Sequence, residues 1–213
     1  MSEAIIIQSP TVPDRMALLF HGVSSTPESL IPLGRRIAAT MPRSIVISVP
    51  SAESCDVGSG FQWFSVRGVT EDNRVQRVAD GMPRFLTTIK QFQTDYGMKP
   101  GQTDLIGFSQ VAIVAVESSQ VNDSPTRTVI SLAGRFDRLP ERASGSTRFH
   151  FIHGATDPVI SPNHSLVGFS KLSELGAHCT VDLIPSLAPA INEDMIEKLI
   201  FHLDDVNKNL IQN

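Results

Sequence analysis

Ser109 lies in the stretch TDLIGFSQVAIVAVES, Thr103 to Ser118, which reads as an apolar strand, a sharp turn at Gly107-Phe108-Ser109-Gln110, and a helix. A serine nucleophile needs this context, because a tight turn between strand and helix lifts the hydroxyl clear of the sheet edge. The G-x-S-x-G pattern of such a turn is incomplete. Its last small residue, expected where helix and strand approach closely, is Val111. A second segment, HGVSSTPES from His21 to Ser29, follows the apolar run MALLF. There a His-Gly turn would aim backbone N–H groups at the carboxyl edge of a sheet, where an oxyanion hole belongs. The expected donors are the N–H groups of Val23 and Gln110. In the third segment, HFIHGATDPVISP, Asp157 lies just beyond an apolar strand downstream of Ser109, the place of the acid in the order Ser, Asp, His. Each feature also has a plain structural reading: a His-Gly pair ends many strands, and Asp-Pro is a common turn.

The elements that must position these residues alternate along the chain. AIIIQS, MALLF, SIVISVP, DLIGF, TVISL, FHFIH and TVDLI read as strands. Between them lie amphipathic stretches. Leu30, Leu33 and Ile37 recur at helical spacing, Thr70 is placed to cap a helix whose first turn carries Glu71 and Asp72, and Pro83 is expected to kink or break that helix. Near the end Met195, Ile196, Leu199, Ile200 and Leu203 share one helical face. Strands bounded by helices imply an α/β fold, a mostly parallel central sheet with helices on both faces. With 213 residues, no internal repeat and no linker, the chain is expected to form one domain, 1–213. The one long irregular segment, PSAESCDVGSGFQWFSVRG, holds the single tryptophan, Trp63. Either it walls a substrate groove or it is a surface loop pinned by one buried aromatic.

Composition narrows the function. A net charge of −4 shows no basic footprint for nucleic acid. No apolar run approaches the length of a membrane span, and the start MSEAIIIQSP has no basic segment ahead of its apolar run, so a cytoplasmic protein is expected. Cys55 and Cys179 have no C-x-x-C spacing and no run of nearby histidines, which argues for two free thiols and no metal site.

LLFHGV, QWFSVRGVTEDNR, LIGFSQ and HGATDPVI together resemble the phospholipase/carboxylesterase family of α/β-hydrolases, in particular a bacterial predicted-esterase branch. The resemblance spans nearly the whole chain. It implies an α/β-hydrolase fold and a serine hydrolase acting on small acyl esters or thioesters, with no metal or organic cofactor. It aligns Ser109 with the nucleophile, Asp157 with the triad acid, and Val23 and Gln110 with the oxyanion donors. His21 and Trp63 are further candidates to line the site. The family's catalytic histidine follows the last strand in a Leu-Gly-His-x-Ile segment. Here that place reads SLAPAIN: Leu187 and Ile191 match, Ala188 replaces the glycine and Pro189 replaces the histidine. Proline has no titratable nitrogen, so position 189 cannot exchange a proton with Ser109. Two more departures fall nearby. Ser24 stands at the second glycine of the family's His-Gly-x-Gly loop, and Val111 adds bulk at the elbow. The expectation is an esterase with impaired turnover; the alternative is a catalytically silent hydrolase-fold protein that binds a small acyl ligand or a protein partner.

Overall fold

In the computed structural model the described residues are 3–121, 124–143, 146–185 and 190–208. In chain order they form β1 (Ile5–Gln8), β2 (Arg15–Phe20), α1 (Ile31–Thr40), β3 (Ser44–Val49), a small hairpin of β4 (Glu53–Ser54) and β5 (Phe61–Gln62), and α2 (Glu71–Asp95). There follow β6 (Thr103–Phe108), α3 (Gln110–Glu117), β7 (Thr128–Leu132), β8 (Arg148–Gly154), α4 (Asn163–Glu174), β9 (Cys179–Ile184) and α5 (Glu193–Lys208). Seven strands make one sheet in the order β1-β3-β2-β6-β7-β8-β9. Only the β1–β3 pair is antiparallel.

Alternation along buried strands explains why the sheet is covered twice. Met16, Leu18 and Phe20 of β2 face one apolar cluster, shared with Phe85 and Ile89 of α2, Val111 and Val114 of α3 and Leu172 of α4. Ala17 and Leu19 face the other, built with Leu33 and Ile37 of α1 and Met195, Leu199 and Leu203 of α5. Successive side chains of a strand point to opposite faces, so a continuous apolar run such as MALLF is stable only where both faces are buried. The apolar face expected on the last helix packs there as a unit, with Ile196 and Ile200 at its margin.

Of the kink or break expected at Pro83, the break is absent: α2 runs unbroken from Glu71 to Asp95. The proline is on the exposed side, where water can serve the carbonyl left without its N–H partner. Its start is capped as the sequence suggests: Thr70 Oγ1 accepts from the Asn73 N–H at 3.3 Å, and Asn73 Oδ1 accepts from the Thr70 N–H at 2.9 Å. All the parallel strands end on one edge, and there the candidate residues gather.

Candidate active site

Ser109 sits between the end of β6 and the first residue of α3, with φ 55° and ψ −118°. An L-residue reaches positive φ only at a cost, of order 1–3 kcal/mol, when its surroundings over-determine the turn. Here they do. The Ser109 N–H donates to Leu132 O at the end of β7 at 2.8 Å, and Ser109 O accepts from the Ala112 N–H at 3.0 Å. A methyl group added at Gly107 would stand 2.9 Å from Ala112 Cα, and one added at Gly134 would stand 2.4 Å from Ala112 Cβ. Ala112 is therefore the small residue at which helix and strand meet. Val111 is not: its side chain is wholly buried and belongs to the cluster containing Trp63, Phe64 and Phe85. The expectation that Val111 crowds the elbow is corrected accordingly, since its side chain fills core on the α2 face of the sheet.

The loop after β2 lies directly against this turn. A methyl group at Gly22 would come within 3.2 Å of the Phe108 ring and 3.6 Å of Ser109 Cβ. Ser24, two residues on, takes φ 58° without being glycine. The loop thus keeps a left-handed conformation that costs a non-glycine residue about 1–2 kcal/mol. What holds it is the β4–β5 hairpin. Ser24 N–H donates to Phe61 O and Phe61 N–H to Ser25 O, both at 2.9 Å. Gly60 makes this docking possible: a Cβ there would fall 2.7 Å from Ser25 O. Cys55 closes the same corner with Sγ 3.1 Å from Ser24 Oγ, and both cysteines are free thiols.

Gln110 has two roles in the geometry. As the first residue of α3 its N–H has no acceptor within the helix, so it is placed to bind a developing negative charge. Its carboxamide, almost wholly buried, accepts from the Trp63 N–H at 2.9 Å and donates to Phe64 O at 2.6 Å. The Trp63 indole packs edge-on to Phe20 and Phe85, with ring centres 5.3 and 5.5 Å away. Trp63 therefore meets the elbow through its main chain, and its ring pins the long segment to the core. The clamp was not foreseen from sequence, although a lone glutamine opening an otherwise apolar helix is a signal that its amide has partners.

Asp157 follows β8 on the same edge, two strands from Ser109. Its Oδ1 accepts from the Val159 and Ile160 N–H groups at 2.7 and 3.0 Å, and its side chain is 4 % exposed. His153 lies behind it, with Nε2 3.5 Å from Asp157 Oδ2. Burial lowers the His153 pKa from its ordinary value. Its Nε2 donates to Ile160 O at 2.8 Å, and its Nδ1 lies 2.7 Å from Ser165 Oγ, whose hydroxyl donates to Gly134 O at 3.1 Å.

None of the six histidines makes a hydrogen bond to Ser109. His21 precedes Gly22, which packs on the elbow, yet its Nδ1 donates to Gly22 O at 2.8 Å and its Nε2 accepts from the Ser51 N–H at 3.4 Å. It is fully buried, which lowers its pKa, and both nitrogens hold loops in place. His164 Nε2 accepts from Arg135 at 3.1 Å. His150 and His202 stack at 4.3 Å on the far side of the sheet, with His178 at 6.3 Å from His150. Leu187, Ala188 and Pro189 lie outside the described residues. The strand before them, β9, is parallel to β8 and ends at Ile184, so the connection to α5 departs from the edge that carries Ser109 and Asp157.

A sheet of this order, with a strained serine at the strand–helix turn and an acid two strands away, defines an α/β-hydrolase. Residues 2–207 match the phospholipase/carboxylesterase family, and the chain belongs to that family. It is 39% identical over 199 residues to the esterase YpfH of Escherichia coli K12, covering 93% of this chain and 86% of that one. Among solved structures it superposes on esterase PE8 with a TM-score of 0.81 at 20% identity, over 91% of this chain and 93% of that one. The carboxylesterase of Bacillus cereus gives 0.79 at 15% identity, over 95% and 93%. No helix among the described residues is long and apolar enough to cross a membrane.

Proposed function

We propose that the protein is a cytoplasmic, single-domain serine hydrolase for small acyl esters or thioesters, with turnover impaired by proline at position 189. The observation that carries this reading is the Ser109 turn, held at positive φ and packed against the Gly22 loop. Ser109 Oγ attacks the acyl carbon, and the carbonyl oxygen becomes an oxyanion within reach of the Val23 and Gln110 N–H groups. The serine proton passes to water, and the leaving alkoxide or thiolate takes a proton from water. Acyl-Ser109 is then hydrolysed by a second water. A base would accept the proton in both half-reactions, and Asp157 has the position to orient one. Loss of one triad member lowers kcat by about 10⁴ to 10⁶, while the oxyanion hole and binding retain roughly 10³ over water. The second reading, a silent binder of an acyl ligand or a protein partner, is favoured by Pro189 together with the engagement of every histidine elsewhere. Hydrolysis of p-nitrophenyl acetate and labelling by a fluorophosphonate separate the two. Slow turnover and slow labelling, both abolished by Ser109→Ala, support the impaired enzyme; no Ser109-dependent reaction at all supports the silent binder.

A further inference from the structure

The two edges of the central sheet, β1 and β9, are unlike. β1 is short, and its pairing with β3 shifts register between Ile6 and Gln8. Such a bulge twists an edge away from further pairing. β9, Cys179–Ile184, keeps unbroken register with β8 from end to end. Nothing in it guards the edge in the ways strands usually do. It has no proline, and its one charge, Asp182, is met within the chain by Lys198 Nζ at 3.0 Å and His202 Nε2 at 2.6 Å.

The contacts with β8 fix where the main-chain groups of β9 point. The Phe149 N–H donates to His178 O at 3.0 Å, and the Ala155 N–H donates to Ile184 O at 2.8 Å. In a parallel pair the residues that bond the neighbour alternate along the strand, so Thr180, Asp182 and Ile184 turn their N–H and C=O groups to β8, while Cys179, Val181 and Leu183 turn theirs outward. Among the described residues no second strand meets those three. Their side chains share the α4 face of the sheet. Cys179 and Val181 pack in the cluster that holds Phe169 of α4, whereas Leu183 is exposed, as is Leu166, three residues before Phe169 on the same side of that helix.

We propose that two copies of this chain associate through β9, antiparallel about Val181, joining their seven-stranded sheets into one. Self-complementarity singles out a second copy as the occupant. An antiparallel β9 centred on Val181 pairs Val181 with Val181 and Cys179 with Leu183 in both directions, so every outward N–H meets a C=O and the interface is two-fold. Moving the centre to Thr180 or Asp182 loses one of the three pairs, and a centre at Asp182 also sets like charges directly opposite, which is destabilising. In the Val181 register Asp182 stands opposite Thr180 of the other copy, and the two Leu183 side chains are covered. β9 lies three strands from β6, so the proposal stands whether or not Ser109 is catalytic.

The test is sedimentation velocity of the full chain over a concentration series, with two sets of variants. A reversible monomer–dimer equilibrium is expected, mostly dimer at roughly 100 µM chain. Val181→Pro removes the central outward N–H, which bonds nothing within the chain, and should weaken association at least ~10-fold. Leu183→Cys combined with Cys55→Ser places a thiol opposite Cys179 of the other copy, at a Cα separation of about 5.5 Å that a disulfide can span. Within one chain positions Cys179 and Leu183 are about 13 Å apart, too far to bridge. Mild oxidation should therefore give a covalent dimer, lost when Cys179→Ser is added. A chain that stays monomeric at that concentration, a dimer equally tight in Val181→Pro, or the absence of a Cys179-dependent cross-link would each overturn the proposal. If Val181→Pro fails to fold, Leu183→Lys, at an exposed position, replaces it and should weaken association by a similar factor.

Discussion

The Gln110 carboxamide joins the serine turn to Trp63, accepting the Trp63 N–H at 2.9 Å while donating to the next carbonyl, Phe64 O, at 2.6 Å. One side chain thus sets the height of the long segment over the elbow. Because the segment in turn docks on Ser24 and Ser25 through Phe61, the loop after β2, the hairpin and the Ser109 turn form one hydrogen-bonded unit.

Gln110→Leu is therefore expected to destabilise the fold. It leaves a buried N–H and a buried carbonyl without partners, each costing about 1–3 kcal/mol. For a chain of this size the melting temperature should fall by roughly 5–15 °C. Gln76→Leu, which removes an exposed bond to Asp80, is the control and should shift it by no more than about 2 °C. Equal shifts in a thermal scan would show that the clamp carries no stability.

Restoring a base should restore turnover. On the proposed reading, Ala188→Gly combined with Pro189→His supplies an imidazole between β9 and α5, and kcat/KM for a short activated ester is expected to rise at least ~10²-fold. Adding Ser109→Ala should erase the gain, since the base then has no hydroxyl to activate. A folded double variant that hydrolyses no faster than the parent would count against the esterase reading.

Val111→Gly, by contrast, is expected to harm. Its isopropyl group fills core beside Trp63 and Phe85, so removing it opens a cavity and places glycine inside a helix, together about 2–4 kcal/mol. Urea unfolding gives the stability change directly. In the Ala188→Gly, Pro189→His background, the added Val111→Gly should not increase kcat/KM; an increase would show that the elbow is sterically strained by this residue after all.

Mild acid should weaken the fold through its buried histidines. Burial first, then the neighbouring His202, lowers the His150 pKa to about 3, while the unfolded chain takes up that proton near pH 6.5. Below pH 6.5 the unfolded state binds more protons, so stability falls as the pH drops from about 6.5 toward 3. For this one group the slope is about 1.4 kcal/mol per pH unit. His21 and His153, also lowered by burial, act in the same direction. Between pH 7.5 and 5 the unfolding free energy is expected to drop by about 2 kcal/mol or more. His150→Phe retains a ring to stack on His202 and should flatten the dependence by most of one proton's share. Identical slopes for the two proteins in denaturant titrations would refute the assignment.

Local patterns carried much of the fold. The unbroken apolar runs of β2, β3 and β6 could only be strands covered on both faces, and the spacing of Met195, Leu199 and Leu203 could only present one helical stripe to them. The strand–turn–helix around Ser109 was legible for the same reason, because its residues are neighbours in the chain. Whether Pro83 would break α2 was left open by sequence, since it depended on which side of the helix faces water. Val111 was misread from the motif alone. Which residue meets a strand is set by the helix's rotation about its axis, and only packing against β6, β7 and α2 fixes that. The same holds for His21 and His153: sequence shows a titratable ring, whereas one partner of each comes from another element, the Ser51 N–H for His21 and Ser165 Oγ of α4 for His153, 30 and 12 residues away. That position 189 carries no base was decided by sequence, because no backbone arrangement gives proline one. That no other described histidine reaches Ser109 was decided by tertiary structure, because each is held elsewhere by partners distant in the chain.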